Sequence, residues 1–236
     1  MVLGVAAVAA GALAQAVTGF GFALVCAPFL VALLGALNGV RLTLVLSAAV
    51  DLVILAPEAR RVEGATGLLL ALPALAVVPP AAWVARHLDT GLLAVVAGSL
   101  IVTAAAVLAA GWRVERLSGR LGALCAGAVA GVMNTVAGTG GPSMAMWAAN
   151  AGWPVARARP TFQAAFLVIN LAGLATLGLP PLHLVGLPLL GLAAGAAAGA
   201  ILARRLPEPA VRRAALALAA VGGAAAIARG LGLGLG

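Results

Sequence analysis

Long uncharged runs alternate along the chain with short clusters of arginine. Residues 1–40, 64–85, 90–112, 121–156 and 160–203 contain no Asp, Glu, Lys or Arg. About 20 apolar residues cross the hydrocarbon core of a bilayer, so each run is long enough for one crossing and three are long enough for two. The pattern predicts an all-α, polytopic helical membrane bundle. Pro, Gly and Arg clusters, read as turn markers, place six conventional spans at 42–56, 66–85, 91–111, 161–178, 184–203 and 211–228. Two longer segments remain, 2–37 and 121–152. Each is interrupted midway by glycines, Gly19-Phe20-Gly21 in the first and Gly138-Thr139-Gly140-Gly141-Pro142 in the second.

The two interruptions lie 119 residues apart, about half the chain length, and other features keep step at 118 or 119. Arg41-Leu42-Thr43 corresponds to Arg159-Pro160-Thr161, Asp51 to Asn170, Asp89 to Glu208, and Gln15 to Asn134. A common offset in a common order predicts two copies of one unit. Repeat one covers 1–118 and repeat two 119–236, each an interrupted segment followed by three spans. Arginine concentrates on the cytoplasmic side of a membrane, and this tests the form of the interrupted segments. If each crosses once, the 14 arginines divide eight against six, which specifies no orientation. If each is a hairpin, Arg41, Arg86 and Arg229 lie on one side and the other eleven face them. Hairpins are therefore expected, with arms of about 15 residues that stop near the midplane. Each unit then has an odd number of crossings, so the second copy is inverted relative to the first, as in many secondary transporters. Both termini are then periplasmic, and Trp112 and Trp153 fit the cytoplasmic interface.

Composition narrows the class. The chain is 64% hydrophobic and 8% charged, far below the quarter charged of soluble domains. The net charge of +8 reads as loop arginine that sets topology, not as a surface for nucleic acid. The N-terminus lacks the basic region and cleavage site of a signal peptide. Cys26 and Cys125 fall inside apolar helix, with neither a disulfide nor a metal expected. His183, alone in a Pro-rich loop, reads as a turn residue. The motifs of metalloproteases, serine hydrolases and nucleotide loops are missing, so the expectation is no enzyme and no cofactor. A membrane-embedded enzyme whose partners are distant in sequence stays as an alternative.

Candidate chemistry concentrates at the two breaks. Non-helical backbone at membrane depth persists only where it is buried in protein or lines a wet cavity. Gly138 to Pro142 reads as the start of a half-helix, with Pro142 in its first turn and Thr139 or Ser143 as capping hydroxyls. A helix N-terminus offers unpaired N–H groups and partial positive charge, an anion site without a buried cation. Candidate substrate-binding residues are therefore Gln15, Thr18, Gly19, Phe20, Gly21 and Phe22 around the first break, with Asn134, Thr135, Gly138, Thr139, Gly140, Gly141, Pro142 and Ser143 around the second. The glycines can equally serve close helix packing. Asp51 is the one acidic residue inside an apparent span, with neutral Asn170 as its counterpart. It can couple a proton or bind a cationic solute, or it can reach the interface and meet Arg60 or Arg61. Arg41 and Arg159 follow the two hairpins, either as gates that attract anions or as ordinary interface residues.

These residues resemble a known family. The glycine-broken first helix followed by Pro28, the Gly-Thr-Gly-Gly-Pro-Ser of residues 138–143, Arg-Pro-Thr-Phe at 159–162 and Arg-Arg-Leu-Pro-Glu-Pro-x-x-Arg-Arg at 204–213 are similar to the TauE/SafE sulfite exporters. The resemblance implies a bacterial inner-membrane carrier whose partners are the bilayer and a small anionic solute. That solute would be a sulfur oxyanion or organosulfonate such as sulfite, sulfoacetate or thiosulfate, moved with protons or down a gradient. It places the site at Gly19 to Phe22 and Gly138 to Ser143. Here the first break reads Gly-Phe-Gly-Phe instead of the family's usual Gly-x-Gly-Gly-Gly type. Whether the smallest anions are handled, or one whose organic tail packs on Phe20 and Phe22, is open, as is a single chain against a homodimer.

Overall fold

A computed structural model describes residues 2–19, 21–112, 114–202 and 205–233. Its regular structure among these residues is helical throughout. Ten α-helices follow in order: α1 (Val2–Thr18), α2 (Phe22–Leu34), α3 (Ala36–Glu58), α4 (Gly64–His87), α5 (Thr90–Ala110), α6 (Arg120–Ala137), α7 (Gly141–Asn150), α8 (Val155–Leu177), α9 (Gly186–Leu202) and α10 (Glu208–Gly230). Seven of them, α3, α4, α5, α6, α8, α9 and α10, are long and apolar enough to cross a membrane. The protein is a polytopic helical membrane protein.

Both interrupted segments reverse direction at their glycines. Along α1 and α2, Gly11 packs on the start of α2 at Phe22 and Gly4 on Leu30 and Leu33, so α2 runs back along α1. Along α6 and α7, Gly140 meets Ala130, Ser143 Oγ donates to the Ala126 carbonyl at 3.0 Å, and Trp147 Nε1 donates to the Gly119 carbonyl at 3.2 Å. The arms are unequal. Helix α6 has 18 residues and qualifies as a full span by length, whereas α7 has 10.

Element boundaries differ from the turn-marker reading for a physical reason. Helix α3 begins at Ala36, not 42, and α8 at Val155, not 161. Arg41 and Pro57 lie inside α3, and Arg157, Arg159 and Pro160 inside α8, instead of in loops. Gly35, with φ of 83°, ends α2, and Pro154 caps the start of α8. Pro28, Pro57, Pro73, Pro79, Pro80 and Pro160 are all helical. Each removes one N–H from the ladder, a loss that packed neighbouring helices make tolerable in membranes. Arg41 is accommodated within α3 because its guanidinium reaches the C-terminal carbonyl of α8 at Leu177, where positive charge is favoured.

Close packing rests on small residues. Glycines at spacing four bring α9 onto α1, with Gly191, Gly195 and Gly199 facing Val5, Ala9 and Leu13. Gly127 and Gly131 bring α6 onto α4 at Leu70 and Ala74 in the same manner. Helices α5 and α10 meet through Gly98 and Gly223, and through Gly91 and Gly230. Where Gly195 lies, a Cβ would stand 2.2 Å from the Ala9 carbonyl oxygen, so only glycine allows this approach, as in small-residue membrane interfaces generally. Part of the packing is matched between residues 1–118 and 119–236: α1 packs on α9 as α6 packs on α4, and α3 pairs with α8 and α5 with α10, whereas α2 packs on α10 and α4 on α8 far more extensively than α7 on α5 and α9 on α3. At the α4–α8 edge, Glu63 pairs with Arg157, whose hydrogen bonds hold the exposed carboxyl below its ordinary range. Arg157 also stacks over Trp153 at 4.2 Å.

Candidate functional site

The two breaks converge on one cavity. Its walls are Gln15, Gly21, Phe22, Ala23 and Leu24 from the first hairpin, Asn134, Thr139, Gly140, Gly141 and Pro142 from the second, Ser47, Val50 and Asp51 from α3, and Phe166 and Asn170 from α8. The volume of about 50 Å³ accommodates roughly four water-sized atoms at about 10–15 Å³ each.

Backbone geometry explains how each break is made. Gly138 adopts the left-handed region at φ of 72° and closes α6, with its N–H on the Asn134 carbonyl and the Thr139 N–H on the Met133 carbonyl, the reciprocal pattern that ends helices at glycine. Gly19 and Gly21 have φ of 79° and 140°. Each break is buttressed by the opposite half of the chain: Gly138 lies against Thr43 of α3, and Gly19 against Val155 and Arg159 of α8. The first turns of α2 and α7, at Phe22 to Leu24 and Gly141 to Pro142, line the cavity. First-turn N–H groups have no acceptor within their own helix and carry roughly half a positive charge between them.

Buried side-chain amides hold the breaks in place. Gln15 accepts from the Phe22 N–H at 3.1 Å through Oε1 and donates to the Gly19 carbonyl at 3.3 Å through Nε2, so it clamps the first break from both sides. Gln163 of α8 donates to the same carbonyl at 3.3 Å. At the second break, Asn134 Nδ2 donates to Asn170 Oδ1 at 2.8 Å, and Asn170 Nδ2 donates to Asp51 Oδ2 at 2.8 Å. The second of these bonds joins α3 to α8 through buried residues 119 positions apart.

Other candidates take structural places. Thr18 and Thr135 donate to carbonyls one turn back, at Ala14 and Gly131. Ser143 donates to Ala126 and Gly140, and no side chain caps α7, so the expected hydroxyl caps are not formed. Pro142 and the glycines before it supply the turn unaided. Thr139 instead lines the cavity with a buried hydroxyl that has no hydrogen-bond partner. Phe20 lies outside the described residues, as do Arg113 and Arg204. Asp51 does not reach the interface: it is 4% exposed, and α3 continues seven residues beyond it. Its partner is Asn170, not Arg60 or Arg61. Arg41 is committed to Leu177, with Nε and Nη2 at 2.9 and 2.6 Å, while the buried Nε of Arg159 has no hydrogen-bond partner.

Ser47 and Gln163 are site residues that the sequence reading passed over. The Ser47 hydroxyl is buried without a partner and faces the cavity, as does that of Thr139. A signal was present. Ser47 stands one turn before Asp51, and Gln163 two turns before Asn170, which gives each of α3 and α8 a polar stripe at helical spacing.

Fold and site together define a class: a multi-pass membrane protein in which two broken helices line a cavity that carries buried polar side chains. The family model described as sulfite exporter TauE/SafE matches residues 3–226. The chain belongs to the TauE/SafE family, which makes it an exporter-type membrane transporter. No curated protein and no solved structure gives a significant match.

Proposed function

We propose that the protein carries a small sulfur oxyanion or organosulfonate across the bacterial inner membrane, by alternating access around the central cavity. The observation that carries this reading is the convergence of both breaks on a single cavity, which two helix N-termini and the buried, unpartnered hydroxyls of Ser47 and Thr139 line. Buried polar groups are almost always satisfied, and these are donors. An oxyanion accepts from them and from first-turn N–H groups without needing a cation in the membrane core. A pyramidal oxyanion of four heavy atoms suits the present volume, whereas a longer organosulfonate requires the cavity to widen at Phe22 and Phe166.

The matched part of the packing and the hydrogen bond between Asp51 and Asn170 support repeats of opposite orientation, 1–118 and 119–236, that rock against each other. The arginine partition supports an orientation with both termini periplasmic. Asp51 shares the cavity with the anion, so a proton on its carboxyl favours anion binding and couples the two.

Flux of labelled sulfite, sulfoacetate and thiosulfate from proteoliposomes tests the function. At least one of these anions should exchange saturably above the protein-free rate. If all three stay at that rate while another solute moves, the anion reading fails. A second reading, export of a cation or neutral solute, is favoured by one observation, the carboxylate of Asp51 in the cavity wall. In that case Asp51→Asn abolishes transport of the cation, while the three anions never move.

A further inference from the structure

Arg41 and Arg159 hold corresponding places in α3 and α8, yet their guanidinium groups do different things. Arg41 is used up in capping the end of α8 at Leu177. Arg159 has a buried Nε without a hydrogen-bond partner, and its side chain lines a second cavity of about 220 Å³. Leaving a buried charged donor unsatisfied is costly, and the Arg41 arrangement demonstrates that the position does not itself require it. The cavity walls add Trp112, Trp153, Phe162 and Met146, together with Glu208 and Arg212 of α10. Arg212 Nη2 already donates to the Leu108 carbonyl at 3.1 Å. Among the described lining residues, two arginines against one glutamate leave a net single positive charge over a mostly apolar wall that carries three aromatic rings. Gly19 borders this cavity and Gly21 borders the central one, so the first break is the partition between them.

We propose that Arg159 forms a second, outer anion site for a small organic anion, a sulfonate or carboxylate on a short hydrocarbon. The anionic group pairs with the free side of the Arg159 guanidinium, and the hydrocarbon lies on Trp153, Trp112 and Phe162. At more than four times the central volume, this cavity admits an organic tail that the central one in its present form does not. Its location next to Gly19 makes it the station from which an anion reaches the central cavity. That second role rests on the transport reading; the binding itself does not.

Trp112 and Trp153 border this cavity and no tryptophan borders the central one, so fluorescence of the purified full-length protein reads the outer site separately. Titration with methanesulfonate and with sulfoacetate should give a saturable change in tryptophan emission. The change should be removed when Trp112 and Trp153 are both replaced by phenylalanine, shifted at least tenfold to higher concentration in Arg159→Gln, and largely kept in Arg159→Lys. The lysine variant guards against a folding defect, because it keeps the charge and much of the volume. An equal response in Arg159→Gln and wild type would overturn the proposal. So would a response given only by phosphatidylglycerol, because Glu208 and Arg212 also line an open groove between α5 and α10 where a lipid headgroup could sit. A saturable, Arg159-dependent response in a protein that moves no anion in proteoliposomes would uphold the site and sink the transport reading.

Discussion

An anion seated against the first turns of α2 and α7 shares its cavity with Asp51, and the two charges determine how the site responds to pH. Unit charges 4 Å apart repel by about 4 kcal/mol at an effective dielectric constant near 20, roughly a thousandfold in affinity. On the proposed coupling, neutral Asp51 permits binding and ionised Asp51 opposes it, so affinity is complete while Asp51 is protonated and falls as rising pH removes that proton. Methanesulfonate keeps a constant charge over the accessible range and isolates the effect. Its KM should rise with pH in the wild type and stay low and flat in Asp51→Asn. The variant should fold, because asparagine is already present at the corresponding position 170 and its carbonyl can still accept from Asn170 Nδ2. Parallel pH profiles for the two proteins would remove Asp51 from coupling. Asp51 stood out in the sequence as an acid in an apolar run, but its surroundings did not. An interface position five residues from a helix end and a buried position seven residues from it differ only in where α3 stops, and Pro57, being helical, moved that end.

At the scale of elements, the breaks depend on glycine in two distinct ways. Gly138 needs the left-handed backbone, which costs a non-glycine residue about 1–2 kcal/mol, and a Cβ there would stand 3.3 Å from Thr43 Cβ and 3.4 Å from Ala27 Cβ. Gly152, in the turn between α7 and α8, has φ of 66° and open space around it. Alanine at either position carries the same backbone strain. Only Gly138→Ala also pushes the second break away from α3, so it should lower anion flux at least tenfold while Gly152→Ala retains most of it, with similar losses in thermal stability. Equal flux in the two variants would mean that the break is not part of the site. The breaks themselves were legible in the sequence because glycine, threonine and proline interrupt otherwise apolar runs. The capping scheme was not: a Ser or Thr beside a helix start can cap forward or donate back to a carbonyl, and Ser143 takes the second course because Ala126 of the antiparallel α6 lies within reach. Ser47 and Gln163 were legible only as polar stripes, once Asp51 and Asn170 were known to point inward.

The whole molecule joins two halves through contacts that no single half could make. Each break leans on the other half, and the buried hydrogen bond between Asp51 and Asn170 joins α3 to α8. The arginine count supports the proposed orientation, on which alkaline phosphatase fused after Gly230 should be active; an inactive but well-expressed fusion would reverse the topology. The common offset suggested a two-unit organisation from the sequence, which remains a proposal, whereas the unequal use of Arg41 and Arg159 required three-dimensional contacts. The central claim is that an oxyanion sits between the N-termini of α2 and α7, and selenite offers a heavier stand-in for sulfite. Crystals grown with selenite, measured at the selenium absorption edge, should show an anomalous peak bounded by Leu24, Ser47, Thr139 and Gly141. A cavity without that peak, in crystals of a preparation that transports sulfite, would contradict the account.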